Sequence, residues 1–207
     1  MAGPSCEAGV VSELFVRRTA PIEELAERAA DVALTCHAMS MRFHRGGKLV
    51  VFGNGGPSTD AQHVAVEFVH PVIVGKPALP AISLTSDVAT LTGIAGRVGF
   101  GEVFAHQIQF LAEPADIALG LSTDGTCDNV LRGLTRARQL DMLTVALVGG
   151  DGGAIARSGV VDHVLIARSS DPCVVKEVHV TTYHILWELV HVFFEQPGIL
   201  DPHVMAR

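Results

Sequence analysis

Val50-Val51-Phe52-Gly53-Asn54-Gly55-Gly56-Pro57-Ser58-Thr59-Asp60-Ala61-Gln62-His63-Val64-Ala65-Val66-Glu67 is the stretch around which the chain is organised. It reads as the end of a buried strand, a glycine-rich turn and then a helix. Leu49 to Phe52 are apolar and β-prone, and Gly53, Gly55 and Gly56 let the backbone take positive φ and approach a ligand closely. Ser58, Thr59 or Asp60 is placed to cap the helix, and free amides at its start favour an anion. His63 and Glu67 stand four apart, so they share one helix face. A glycine turn beside an acid and an imidazole points to a small polar ligand carrying a phosphate. The turn is neither G-x-G-x-x-G with a downstream acid nor a P-loop ending in G-K-[ST], which argues against a nucleotide.

Outward from this turn the pattern is regular. Strands are expected at Lys48–Phe52, Ala81–Leu84, Asp116–Leu121, Met142–Val148 and Asp162–Ala167. Helices are expected at Asp60–Val69, Asp87–Ala95, Gly101–Leu111, Asp128–Gln139 and Val174–Glu195, with a short one after Gly149–Gly153. Near-continuous apolar strands alternating with helices imply a parallel sheet covered on both faces, an α/β/α sandwich. Ligands of such sheets sit beyond the carboxyl ends of the strands, here at Gly53–Thr59, Thr85–Asp87, Ser122–Cys127 and Gly149–Gly153. Residues 1–46 precede this repeat: a frayed start at 1–6, then helices at Glu7–Arg18 and Pro21–Arg45, with Pro21 at a first turn. This helical arm has no evident place on a sheet and is expected to pack on another subunit. The domain proper spans 47–196, and 197–207 form a tail after Pro197.

The chain has 207 residues, 48% hydrophobic and 18% charged, which suits one α/β domain with an appendage. A net charge of −7 without a basic stripe argues against a nucleic-acid partner. The four cysteines (Cys6, Cys36, Cys127, Cys173) are scattered, as in a reduced cytoplasmic protein. No signal-peptide pattern is visible. The most apolar helix contains Lys176, Glu177, His179, His184, Glu188 and His191 and does not read as a membrane span.

Leu121-Ser122-Thr123-Asp124-Gly125-Thr126-Cys127-Asp128-Asn129-Val130 repeats the strand–polar turn–helix logic, with hydroxyls and amides suited to a phosphoryl group. Asp124 opposes that reading, since a carboxylate about 4 Å from a phosphate costs roughly 4 kcal/mol at an effective dielectric near 20. The alternative is a turn whose amides Asp124 satisfies. Taken in order, Phe52-Gly53-Asn54-Gly55-Gly56, Asp60-Ala61-Gln62-His63 with Glu67, Gly120-Leu121-Ser122-Thr123-x-Gly125, Gly149-x-Asp151-Gly152-Gly153, and Glu177-x-His179 with His184-Ile185-Leu186 resemble the phosphoheptose isomerase branch of the SIS (sugar isomerase) domain. The resemblance runs from about residue 20 to 195 in one register.

The resemblance implies a five-stranded parallel sandwich of flavodoxin-like SIS type. It also implies a homotetramer with helices packed at its centre, and sugar-phosphate sites at subunit interfaces. The implied activity interconverts sedoheptulose 7-phosphate and a heptose 7-phosphate, with Glu67 as general base, His184 as general acid and zinc on His63, Glu67 and His184. Substrate contacts would map to Asn54, Gly55, Gly56, Arg97, Ser122, Thr123, Asp124, Cys127 and Lys176. Several of these depart from the family pattern. Lys176 stands for a metal-binding Gln; protonated, it has no lone pair, and it is expected to take the cation's place beside Glu67. Arg97 stands for an Asp, Asp124 and Cys127 for phosphate-loop serines, Pro57 for another Ser and Cys173 for an Asp. Arg97 and Asp124 are expected to pair across the pocket mouth. The alternative function is a catalytically impaired SIS protein that binds a sugar phosphate or a protein partner, like the replication-initiator-associating branch.

Overall fold

The computed structural model describes residues 4–196, with side chains from Ala8 onward. Five strands, β1 (Leu49–Gly53), β2 (Ala81–Ser83), β3 (Ile117–Ser122), β4 (Leu143–Gly149) and β5 (His163–Ala167), form one sheet in the order β2-β1-β3-β4-β5. All four pairings are parallel. The period-2 alternation of a strand sorts its side chains between two cores. Leu49 and Val51 face one side with Leu119, Val145 and Leu165. Val50 and Phe52 face the other with Ala118, Ala146 and Val148.

The first face is covered by α2 (Ala29–His44), α3 (Gly56–Val69) and α8 (Pro172–Glu195), through Cys36, Met39 and Phe43, through Val64 and Phe68, and through Val178, Leu186 and Val190. The second is covered by α5 (Val103–Leu111), α6 (Asp128–Gln139) and the short α7 (Gly153–Arg157). On α6, Val130, Leu134 and Ala137 are buried while Arg132, Arg136 and Arg138 stay on the outer side, so the helix lies on the sheet by amphipathicity.

The arm divides into two parts. Its second half, α2, belongs to the core on the sheet. Its first half, α1 (Pro4–Glu27), leaves Val10, Val11, Leu14, Phe15 and Val16 exposed. Pro21 is inside α1 and not at a first turn. A proline removes one intrahelical bond but no glycine follows it, and the helix runs on to a break at Arg28, whose amide bonds Leu25 O at 3.0 Å. α4 (Val88–Val98) runs through the turn expected at Gly96 and ends at Gly99, whose φ is 101°. A 3₁₀ turn at Phe100–Glu102 then leads into α5. Of the start expected to fray, residues 1–3 lie outside the described residues, as does the tail 197–207, while Pro4 onward is helical. Among the described residues no helix is long and apolar enough to cross a membrane.

Candidate active site

Strand order reverses direction between β1 and β3, and the crevice of such a sheet opens there. The two loops on its rim are the Asn54 turn after β1 and the Ser122–Cys127 loop after β3. Their amides are locked together: Asn54 Nδ2 donates to Asn129 Oδ1 at 2.6 Å, and Asn129 Nδ2 donates to Asn54 Oδ1 at 3.0 Å. Asn129 is 4% exposed. Replacing Asn129 with Ala is expected to cost about 1–3 kcal/mol, because the Asn54 amide loses both partners in a half-buried place. Urea unfolding at fixed protein concentration checks it.

At the first rim, Gly55 has φ 63° and ψ −122° and turns the chain into α3. A Cβ there would meet nothing within 4 Å, so it is the backbone conformation that requires glycine. The expected cap is corrected. The helix starts at Gly56, with Pro57 in its first turn, so Ser58, Thr59 and Asp60 already lie inside it. The Ser58 and Thr59 hydroxyls turn back onto Gly55 O and Gly56 O at 2.6 and 2.7 Å.

At the second rim, Ser122 Oγ accepts from Gly125 N at 3.0 Å and donates to Asp124 Oδ1 at 3.4 Å, and that carboxylate oxygen accepts from Thr126 N at 2.9 Å. The Thr126 amide holds the Asp124 carboxyl below its usual range. Asp124 therefore satisfies its own turn, and Ser122 is spent inside the loop. Thr123 is half-buried and its hydroxyl has no partner among the described residues; Cys127 is a half-buried free thiol. Gly125, at φ 71°, presses against the Gly149–Gly153 turn: a Cβ there would lie 2.0 Å from Gly152 O. The expected Arg97–Asp124 pair does not form. Arg97 is exposed on α4 and makes no ion pair among the described residues, because Asp124 is turned into its own loop.

α3 and α8 lie side by side and carry the remaining groups. His63 Nε2 is 3.1 Å from Glu67 Oε1, and His63 Nδ1 is 2.7 Å from the Tyr183 hydroxyl. Burial, then the nearby Asp60 and Glu67 carboxylates, hold the Tyr183 hydroxyl well above its ordinary pKa, so it stays protonated. For a neutral ring this assigns Nε2–H to Glu67 and leaves Nδ1 to accept from Tyr183. Trp187 Nε1 donates to Glu67 O at 2.9 Å. The His184 ring lies 5.2 Å from that of His63. Ligand atoms of His63, Glu67 and His184 all fall within 4.8 Å of one another. They open on a cavity of about 310 Å³ lined also by Val72, Trp187 and Glu188.

Lys176 is a third correction. Its ammonium does not approach Glu67. It bonds Asp60 Oδ1 at 2.5 Å, Thr59 Oγ1 at 3.1 Å and Gly56 O at 3.3 Å. The Asp60 carboxylate is 4% exposed and closer to position 176 along the paired helices, so it captures the charge first. His179 is 2% exposed, as a packing residue. Burial pulls its pKa down to about 4, against the nearby Asp60 carboxylate, which raises it. Unfolded, the ring titrates near 6.5, so between pH 6.5 and 4 the unfolded chain binds more protons and stability falls with pH, by about 3 kcal/mol at most. The difference in unfolding free energy between wild type and His179→Gln, followed from pH 7 to 4, is expected to narrow on acidification. Cys173 is an exposed free thiol.

The structure thus gathers His63, Glu67 and His184 in one hollow. It sets Asn54, Gly55, Gly56 and Thr123 at the other end of α3, on the crevice, and the hollow's lining contains none of them. Tyr183, Trp187, Asn129 and the role of Asp60 were not anticipated. One signal was present: the chain's only Tyr and only Trp stand on either side of His184 on one helix.

Comparison with known proteins adds the lineage. The SIS domain pattern matches residues 15–149. The phosphoheptose isomerase of Desulfovibrio desulfuricans is 40% identical over 184 residues, 87% of this chain and 86% of its own length. That of Solidesulfovibrio magneticus is 39% identical over 199 residues, 96% of this chain and 92% of its own. The chain belongs to the phosphoheptose isomerase family of SIS-domain proteins. Solved family structures agree with the fold. That from Francisella tularensis superposes with a TM-score of 0.83 at 30% identity, covering 89% of this chain and 98% of its own. That from Neisseria gonorrhoeae gives 0.80 at 28%, covering 88% and 97%. The family pattern begins inside α1, so the arm is part of what these proteins share.

Proposed function

We propose that this chain is an aldose–ketose isomerase acting on a seven-carbon sugar phosphate of the sedoheptulose 7-phosphate class. The observation that carries the reading is the convergence of Glu67, His63 and His184 on one hollow, in a chain of this family. Isomerisation moves one proton between C1 and C2 and another between their oxygens. The Glu67 carboxylate takes the carbon-bound proton and returns it to the neighbouring carbon. His184 carries the proton between O1 and O2. Without metal, His63, held by Tyr183, donates Nε2–H to Glu67 Oε1, which fixes the carboxylate and leaves Oε2 unbonded within the chain. As a metal ligand His63 would use Nε2 in the other tautomer, with Nδ1–H donating to the Tyr183 hydroxyl.

The same groups suit a divalent metal: two imidazoles and a carboxylate are a zinc donor set with a position left open. A bound zinc ion would polarise the substrate's carbonyl oxygen. Glu67 and His184 each have a second donor atom left for the substrate. Lys176 does not block this site, since its ammonium is held by Asp60. That placement answers one of the departures behind the impaired alternative; those at Pro57, Arg97, Asp124 and Cys127 bear on the phosphate end of the site.

The phosphate belongs at the crevice, on the amides of the Gly55–Gly56 turn and the Thr123 hydroxyl. From Gly56 to Glu67 the helix rises about 16 Å; the Glu67 side chain leans back towards the N-terminus, which shortens the span towards the length of an extended seven-carbon sugar phosphate. Assembly into a homotetramer through the arm is part of the proposal. Phe15 is 71% exposed and Val16 66%. An apolar groove of about 250 Å³ lies between Ile22, Leu25 and Val32 on one side and Val178, Ile185 and Leu189 on the other. Exposed aliphatic and aromatic side chains along α1, continuous with this groove, are what a helix of a second copy would cover. The three described cysteines are free, in keeping with a cytoplasmic setting.

The test is incubation of zinc-supplemented protein with sedoheptulose 7-phosphate in D₂O. The expected result is an aldose 7-phosphate product with deuterium at the C1–C2 unit. Neither product nor exchange in the recovered ketose would sink the proposal.

A further inference from the structure

The hollow is built from the same spacing twice. His63 and Glu67 are four apart on α3, and His184 and Glu188 are four apart on α8. The two helices run in the same direction with their residues in step. Lys176 meets Asp60, Tyr183 meets His63, and Trp187 meets Glu67. The two imidazoles therefore form one tier and the two carboxylates the next.

On α3 this spacing brings the imidazole within 3.1 Å of the carboxylate. Helical side chains lean towards the N-terminus, so the residue at i+4 reaches back over the residue at i. Glu188 has the same reach over His184. It lines the hollow, is exposed, and has no hydrogen-bond or ion-pair partner among the described residues. Its carboxylate stands outside the set of three whose atoms lie within 4.8 Å. Joining them takes only a rotamer change of a free surface side chain.

The hollow is lined by two carboxylates and two imidazoles and by no lysine or arginine, so its negative charge is under-compensated. A divalent cation supplies what is missing. Lys176 cannot serve as a ligand, because its ammonium offers no lone pair and is tied to Asp60, Thr59 and Gly56. We infer that Glu188 is the fourth protein ligand of a zinc-class ion at this site, approaching from the side of the hollow opposite Lys176 along α8. The inference rests on the metal reading of the trio given above. A two-nitrogen, two-oxygen set from His and Glu is within the chemistry of zinc.

The full-length protein, stripped of metal, is titrated with zinc by calorimetry and with cobalt(II) by visible absorption. Wild type, Glu188→Ala and His184→Ala are compared. Wild type is expected to bind one ion per chain, and Glu188→Ala to bind it at least about tenfold more weakly. The cobalt bands of Glu188→Ala should weaken and shift, as water replaces a protein oxygen. If Glu188→Ala matches wild type while His184→Ala loses the ion, Glu188 is no ligand and the trio stands. A weaker Glu188→Ala with unchanged cobalt bands reduces Glu188 to a distant charge and also overturns the assignment. If wild type takes up no ion at all, the metal reading falls together with this one.

Discussion

Glu67→Gln is expected to lower turnover of sedoheptulose 7-phosphate by about 10³-fold, with the fold intact. A positioned general base contributes about 10²–10⁴-fold. Gln is isosteric and its side-chain oxygen still accepts the His63 bond, so the hollow keeps its shape. The bond from Trp187 is to the Glu67 backbone carbonyl and survives the change. What is lost is the group that holds the carbon-bound proton. Deuterium exchange into recovered substrate must therefore fall with turnover, while KM changes little. A variant that keeps a tenth of wild-type exchange would remove Glu67 from the role of base.

Gly125→Ala is expected to cost about 3 kcal/mol and to raise KM for the sugar phosphate. Two penalties combine. A side chain at φ 71° is strained, by about 1–3 kcal/mol. The new Cβ would also lie 2.0 Å from Gly152 O and 2.9 Å from Gly153 N. Backbone, not a flexible side chain, is in the way, so the two turns must separate. That displaces Thr123 and breaks the bond from Ile155 N to Gly125 O, 3.0 Å long. Chemical denaturation at one protein concentration gives the stability change. Unaltered stability would mean that the two turns are not in contact.

The sheet was legible because its strands are buried on both faces and written as unbroken apolar runs. The structure moves most strand ends by one residue. Gly53 pairs with Leu121 and Ser122 with Val148, so the ladders extend into residues that read as turn. Lys48 and Asp116, read as strand, serve instead as a clamp: Asp116 accepts from the Lys48 amide at 2.8 Å and from its ammonium at 2.5 Å. The shared face of His63 and Glu67 followed from helical spacing alone. His184 entered through the family resemblance, since nothing local links residues more than a hundred positions apart. For the same reason the partners of Lys176 and Arg97 could not be read. Asp60 looked like a cap by residue type, and only the packing of α8 on α3 turns it into the acceptor for Lys176. Tyr183 and Trp187 owe their roles to that same packing.

α3 carries the glycine turn at its start and the reacting carboxylate three turns later, in one unbroken helix. The distance between the proposed phosphate anchor and the proposed proton-transfer centre is thus set by a rigid ruler and not by a flexible loop. On the function proposed above, a pentose phosphate anchored at the turn is expected to leave its carbonyl carbon short of Glu67, so selection by carbon-chain length would follow from the backbone itself. A single residue inserted between Gly56 and His63 would swing the carboxylate about 100° around the helix and abolish the measure altogether.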